Sequence, residues 1–193
     1  MDKESLRKKY KELRDGLTDQ DIEEKSMAIA NNLLSLNIWD HTFYHLFLSI
    51  TKKKEVDTEP VLHILHGKDK NVVLSKSDFQ SGGLTNYLLT DNTVINTNKW
   101  GIPEPQDGIE VSPAQIEVVF VPLLAFDIRG HRIGYGKGFY DRFLSSCSMD
   151  TIKIGLSFFE AEPTFSEVFE SDVPLDYCVT PKKTYDFTHS DET

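Results

Sequence analysis

Four glycines fall within nine residues, at 130, 134, 136 and 138, and they alternate with Arg132 and Lys137. An apolar run, Ile116 to Val121, precedes them and reads as a buried strand. Phe139, Tyr140, Phe143 and Leu144 follow at helical spacing. A strand that opens through a glycine-rich loop into a helix N-terminus is suited to holding phosphate. Residues without side chains let backbone N–H groups close on the anion, and the helix end adds a partial positive charge. Arg132 and Lys137 would add full charges at the same place. The stretch Arg132, Ile133, Gly134, Tyr135, Gly136, Lys137, Gly138, Phe139, Tyr140 is therefore the leading candidate site. No Ser or Thr follows Lys137, which speaks against a Walker-type loop, and the glycines do not match G-x-G-x-x-G. A tight turn with solvated basic residues is the competing reading.

Asp141 comes directly after the loop. A carboxylate beside a phosphate site is costly unless a cation lies between them. Mg²⁺ takes one or two carboxylates together with phosphate oxygens and waters, so Asp141 fits a metal ligand. Lys3 and Arg7 are four apart and share a helix face, as a solvated charged face would also have it. Glu55 follows a strand end, where α/β proteins build sites, with Asp57 and Glu59 as neighbouring alternatives. Trp100 lies in a proline-rich loop and reads either as a packing anchor or as a stacking platform. Lys52, Lys53 and Lys54 form a basic run in a loop. The six histidines form no cluster, and no Ser/His or Cys/His arrangement stands out.

Stepping along the chain, Leu6, Tyr10, Leu13 and Leu17 mark one helix face. Thr18 with Asp21 is a capping pair for a second helix, bearing Ile22, Ala28, Ile29, Leu33 and Leu34. Thr42 to Ile50 reads as a strand. Thr58 is placed to cap a short helix with Pro60 in its first turn. Val72 to Leu74 reads as a short strand, and Tyr87 to Leu89 with Thr93 to Ile95 as a hairpin around Asp91-Asn92. Trp100 to Pro113 reads as an ordered loop because its three prolines and two glycines oppose regular structure. Ile152 to Leu156 and Tyr177 to Val179 are further strands. Thr184 to Thr193 reads as a polar, mobile tail. Helices alternating with short apolar strands imply a single α/β domain, 1–183, with a mainly parallel sheet.

The 193 residues suffice for one domain with a substantial core. A formal net charge of -10 speaks against nonspecific nucleic-acid binding, and an anionic substrate would have to be drawn by a local basic patch. Cys147 and Cys178 are too few for a disulfide framework or a zinc site and read as small buried hydrophobes. No apolar run approaches the roughly 20 residues that span a bilayer. The N-terminus is charged from Asp2 onward, unlike a secretory signal. We expect a cytoplasmic monomer that binds small molecules and neither nucleic acid nor membrane.

The string from Pro122 through Leu124-Ala125-Phe126-Asp127, Gly130, Arg132-Ile133-Gly134 and Gly136-Lys137-Gly138-Phe139-Tyr140-Asp141 resembles the signature of 5-formyltetrahydrofolate cyclo-ligases. Other segments resemble that family too: Lys3-Glu4-Ser5-Leu6-Arg7, Phe47-Leu48-Ser49 with Glu55-Val56-Asp57-Thr58-Glu59, Trp100-Gly101-Ile102-Pro103-Glu104-Pro105, and Ser171-Asp172-Val173-Pro174-Leu175-Asp176. The resemblance spans nearly the whole chain. It implies a three-layer Rossmann-like sheet with the ligand at the carboxyl ends of the strands. It further implies ATP bound by Lys3, Arg7 and the stretch from Arg132 to Tyr140. Reduced folate would meet Leu48, Glu55, Trp100 and the stretch from Tyr135 to Phe139. Mg²⁺ would be held by Asp141 and Asp172, the second of which also reads as an acid in a turn. Arg132, Lys137 and Tyr140 would serve catalysis.

By the same resemblance, the N5-formyl oxygen attacks the γ-phosphate of ATP, N10 closes the ring, and phosphate departs to leave 5,10-methenyltetrahydrofolate. From the lysine run itself, and not from the resemblance, Lys52, Lys53 and Lys54 suggest a site that attracts the folate's glutamate tail, with a solvated loop as the competing reading. Phe139 stands where many relatives carry Tyr, and Ile133 where Leu is usual. A phosphosugar isomerase or acyl-CoA transferase on a similar sheet, and a non-catalytic nucleotide or folate sensor, are the alternatives.

Overall fold

The computed structural model describes residues 1–189. Helix α1 (Lys3–Asp15) starts at Asp2, whose side chain accepts a hydrogen bond from the Ser5 N–H. Helix α2 (Asp19–Leu33) starts with the capping box expected of Thr18 and Asp21. Helix α3 (Glu59–Gly67) carries Pro60 in its first turn, but Thr58 does not cap it. The Thr58 hydroxyl instead donates to the Phe47 carbonyl at 2.7 Å, tying the helix entry to the loop beside it. Helix α4 (Phe139–Ser146) leaves the glycine loop through Gly138, whose φ of 70° lies in the left-handed region that favours glycine.

Strands β1 (Phe43–His45), β2 (Asn71–Asp78), β3 (Gly83–Leu88), β6 (Val118–Pro122), β9 (Ile152–Leu156), β10 (Tyr177–Val179) and β11 (Thr184–Asp186) form one seven-stranded sheet. Its order is β11-β10-β9-β6-β1-β2-β3, with the five inner strands parallel and the two edges antiparallel. Two small ribbons, β4 (Ile95–Thr97) with β5 (Pro103–Pro105) and β7 (Ala125–Phe126) with β8 (Arg132–Ile133), complete the strands.

The period of two is visible in β6. Val118 and Phe120 point into a core shared with Ile29 and Leu33 of α2 and Val61 and Leu65 of α3, while Val119 and Val121 point into one shared with Phe143 and Leu144 of α4. These are the three layers of an α/β domain. Helix α1 packs Leu6 and Tyr10 on Leu124, Ala125 and Ile133, against the β7–β8 ribbon. Counted among themselves in chain order, the parallel strands lie second, first, third, fourth, fifth. The order reverses between β1 and β6, and a crevice opens there at the carboxyl ends of the strands.

Several local expectations are corrected. Residues 87–95 are not a hairpin: β3 pairs with β2 and β4 with β5. Trp100 to Pro113 is not wholly irregular, since β5 lies within it. The strand expected over 42–50 is β1 alone, and β2 is longer than 72–74. Thr184–Asp186 adds an edge strand to the sheet where a mobile tail was expected, and residues 190–193 of that tail lie outside the described residues. On α1 the buried face is Leu6, Tyr10 and Arg14, with Leu13 43% exposed. Among the described residues, no helix is long and apolar enough to cross a membrane.

Candidate active site

A cavity of about 360 Å³ opens at the crevice between β1 and β6. Its walls include Leu46 and Leu48 after β1, Pro122 at the end of β6, and the loop from Arg132 to Tyr140. A more open cleft of about 890 Å³ borders the same loop at Gly136 and Gly138. The two share Lys3, Arg7, Gly136, Gly138, Asp141 and Asp172. The residues expected from the glycine loop and from the remote N- and C-terminal segments therefore come together at one seam.

The charges there are paired. Arg132, with its side chain 6% exposed, donates to Asp141 Oδ1 at 2.7 Å and to the Val173 carbonyl. Asp141 Oδ1 also accepts from the Val173 N–H at 3.1 Å. Lys3 Nζ donates to Asp172 Oδ2 at 2.5 Å, and the same oxygen accepts from the Phe169 N–H at 2.9 Å. Burial pushes the Asp172 carboxyl up, but the Lys3 ammonium and the Phe169 N–H outweigh it and hold it below its ordinary value. Arg7 Nε donates to the Gly134 carbonyl at 3.0 Å, and its guanidinium lies over Gly136. Gly136 has a φ of 91°, and a Cβ there would fall 3.2 Å from the guanidinium carbon. Glycine is thus favoured at 136 by conformation, and a side chain there would also make the Arg7 guanidinium give way.

The bonds to each carboxylate fall on one oxygen, leaving Asp141 Oδ2 and Asp172 Oδ1 outside them. Two such oxygens fit a Mg²⁺ ion that completes its shell with phosphate and water. Lys137 differs from Arg132 in being exposed, with its Nζ 5.2 Å from the centre of the Phe79 ring. It is a cation available to a ligand, whereas Arg132 orients Asp141.

Deeper in the cavity Glu55 is 4% exposed. Its Oε2 accepts from the Ile50 N–H at 2.8 Å and its Oε1 from the Tyr135 hydroxyl at 2.9 Å. Loss of water raises the Glu55 pKa, against the pull of the Ile50 N–H, Arg14, Tyr135 and Lys53. Arg14, 4% exposed, donates to the Tyr135 hydroxyl at 2.7 Å and to the Leu123 carbonyl at 2.5 Å. Lys53 Nζ lies 4.0 Å from the Tyr135 ring centre. Lys54 is turned away, donating to the Asp15 and Leu17 carbonyls at 2.8 and 2.6 Å, so the lysine run is not a uniform basic patch. Burial raises the Tyr140 pKa, which keeps this hydroxyl protonated. Trp100 is not alone: it lies 3.9 Å from Phe79, which meets Phe139 edge-on at 5.2 Å.

Sequence reasoning missed Arg14 and Phe79. Arg14 could have been found by extending the spacing of four from Leu6 and Tyr10. Phe79 had no local signal, since it reaches Trp100 only through the β2–β3 turn.

The 5-formyltetrahydrofolate cyclo-ligase family model matches residues 1–181. The 5-formyltetrahydrofolate cyclo-ligase of Escherichia coli K12 is 32% identical over 182 residues, which are 90% of this chain and 97% of that protein. A probable 5-formyltetrahydrofolate cyclo-ligase of Schizosaccharomyces pombe is 29% identical over 182 residues, 86% of this chain and 89% of that one. The NMR structure of Aquifex aeolicus 5,10-methenyltetrahydrofolate synthetase matches with a TM-score of 0.80 at 29% identity, covering 100% of this chain and 96% of that chain. Sequence and fold agree along the length that carries the loop, the crevice and both terminal segments, and the chain belongs to the 5-formyltetrahydrofolate cyclo-ligase family of enzymes.

Proposed function

We propose that the protein converts 5-formyltetrahydrofolate to 5,10-methenyltetrahydrofolate at the expense of ATP, releasing ADP and phosphate. The observation that carries this reading is the pair of openings that share the glycine loop. A two-substrate transfer needs such an arrangement: the less open, more apolar cavity suits the folate, and the more open cleft suits the nucleotide, with charged residues of the shared seam between them.

The formyl oxygen on N5 attacks the γ-phosphorus, and ADP leaves. The phosphorylated oxygen is then a competent leaving group. N10 attacks the formyl carbon, loses its proton as the ring closes, and phosphate departs. No protein nucleophile is required, so the chain's task is placement and charge. Lys137 would meet the transferring phosphoryl group, and the amides of Gly136 and Gly138 would supply dipoles already in place. Lys3 and Arg7 would border the phosphates. Glu55 would accept from a pterin N–H, Leu48 and Trp100 would bound the ring system, and Tyr140 would close the wall between the substrates. Asp141 and Asp172, kept in place by Arg132 and Lys3, would hold Mg²⁺, which supplies positive charge beside the phosphates when bound. We place this chemistry in the cytoplasm.

The test is the near-ultraviolet absorbance of the methenyl product with 5-formyltetrahydrofolate, ATP and Mg²⁺. A rise that needs all three is expected. No rise from protein shown to be folded would overturn the reading.

A further inference from the structure

A row of three polar side chains crosses the sheet beneath the cavity, on three adjacent strands: His45 on β1, Ser75 on β2 and Asn86 on β3. Ser75 and Asn86 are directly opposed in the antiparallel register, so their side chains share a face. The Ser75 hydroxyl donates to Asn86 Oδ1 at 2.6 Å. His45 Nε2 lies 2.5 Å from the same Ser75 Oγ. Ser75 has one proton and has used it, so His45 Nε2 carries the hydrogen in this contact and Ser75 accepts it.

The surroundings make this arrangement unusual. His45 is completely buried, packed against Phe143 at 4.8 Å and Tyr140 at 6.0 Å between ring centres. Its Nδ1 is buried and has no hydrogen-bond partner among the described residues. Burial pushes its pKa down to about 3, so the ring is neutral at physiological pH. Asn86 is 3% exposed. A buried polar row with an unpartnered nitrogen is costlier than an apolar one of the same shape. Only Ser75 of the three is partly open, and it lines the cavity together with His45. What the row delivers there is a hydroxyl that cannot rotate: its proton goes to Asn86, one lone pair takes the His45 proton, and one lone pair is left.

We infer that Ser75 is a substrate-binding residue, a fixed acceptor that takes one ring or amide N–H of the bound reduced folate, with His45 and Asn86 as its positioning residues. This rests on reading the less open cavity as the folate site. It deepens that reading, because Glu55 and Ser75 then both present acceptors to the same cavity. A ligand with N–H groups at both places is selected over an apolar ring of equal size.

The experiment is titration of the folded enzyme with 5-formyltetrahydrofolate by calorimetry, alongside KM values for folate and ATP. The wild-type titration comes first: no binding and no turnover would overturn the folate reading, and this inference with it. If the wild type binds, Ser75→Ala should weaken folate binding about tenfold, with KM for ATP unchanged within about twofold. His45→Phe, which keeps the ring packing but frees the hydroxyl to rotate, should weaken folate binding several-fold, again without moving KM for ATP, while the melting temperature holds or rises. Unchanged folate affinity in Ser75→Ala would overturn the assignment. So would losses for folate and ATP that fall together and track a lower melting temperature.

Discussion

The Tyr135 hydroxyl donates to Glu55 at 2.9 Å, and it does so while accepting from Arg14 at 2.7 Å. Glu55 is therefore fixed through a residue of the glycine loop. Tyr135→Phe should leave Arg14 Nη1 without this acceptor and Glu55 Oε1 without this donor. The expected cost is about 1–3 kcal/mol of stability and a fall in kcat/KM for folate of about tenfold. The Tyr135 bond lowers the Glu55 pKa, so its loss raises it. If the ionised carboxylate is the active form, the acid limb of the kcat/KM profile moves to higher pH. An unmoved limb would separate Tyr135 from Glu55.

Glu55 also couples function to stability. Its folded pKa lies above the ordinary value of 4.5 because burial disfavours the charge. The folded state therefore holds the proton more readily than the unfolded chain, and this group's contribution to stability falls as pH rises from about the ordinary value through the raised one. Relative to wild type, Glu55→Gln should gain in melting temperature as pH rises from about the ordinary value of 4.5, because the variant has no carboxyl to ionise, while folate turnover is lost. Melting curves across that range check the sign.

Lys137 is exposed, and among the described residues its ammonium meets only the Phe79 ring. Lys137→Ala should leave the melting temperature unchanged and lower kcat by about 100-fold, the scale of a lost transition-state charge contact. Single-turnover rates at saturating ATP would distinguish this from weaker binding. A kcat near wild type would show the charge to be dispensable.

Asp141 and Arg132 form a pair in which the carboxylate keeps one oxygen free. Asp141→Asn should raise the Mg²⁺ concentration for half-maximal turnover by about tenfold or more, since an amide is a weaker ligand for a hard cation. Chelation of Mg²⁺ from the wild type should abolish turnover and leave the melting curve in the absence of nucleotide unchanged. A variant with unaltered Mg²⁺ dependence would remove Asp141 from the metal's coordination.

What could be read from the sequence followed locality. The capping box at Thr18 and the strand at Ile152 depend on neighbours in the chain, and both formed as expected. The glycine loop was legible because a close backbone approach leaves its mark in residue type. The 87–95 hairpin failed although Asp91-Asn92 is a sound turn, because both flanking strands found better partners elsewhere. The prolines misled for a different reason. Ladder bonds from the Gln106 N–H to the Val94 carbonyl and from the Asn98 N–H to the Ile102 carbonyl set the register of the β4–β5 ribbon. Pro103 and Pro105 fall on the alternate positions, where no N–H is called for. In the site, the Ser75 row was invisible because its members are joined by register and packing rather than by spacing, whereas Arg14 lay on the spacing of four and only its partners were hidden.

Helix α1 is held by Gly134 through Arg7 and by Asp172 through Lys3, a separation of 169 residues in the second case. Helix α1 thus has much of its seat made by residues far along the chain, Leu124, Ala125, Ile133 and Phe165 among them. A nascent chain that has not yet reached Asp172 can build much of the sheet and dock Arg7 on Gly134, but Lys3 then lacks its carboxylate. Assembly of the seam between the two openings therefore waits on the slow closure of contacts 127 and 169 residues apart in sequence.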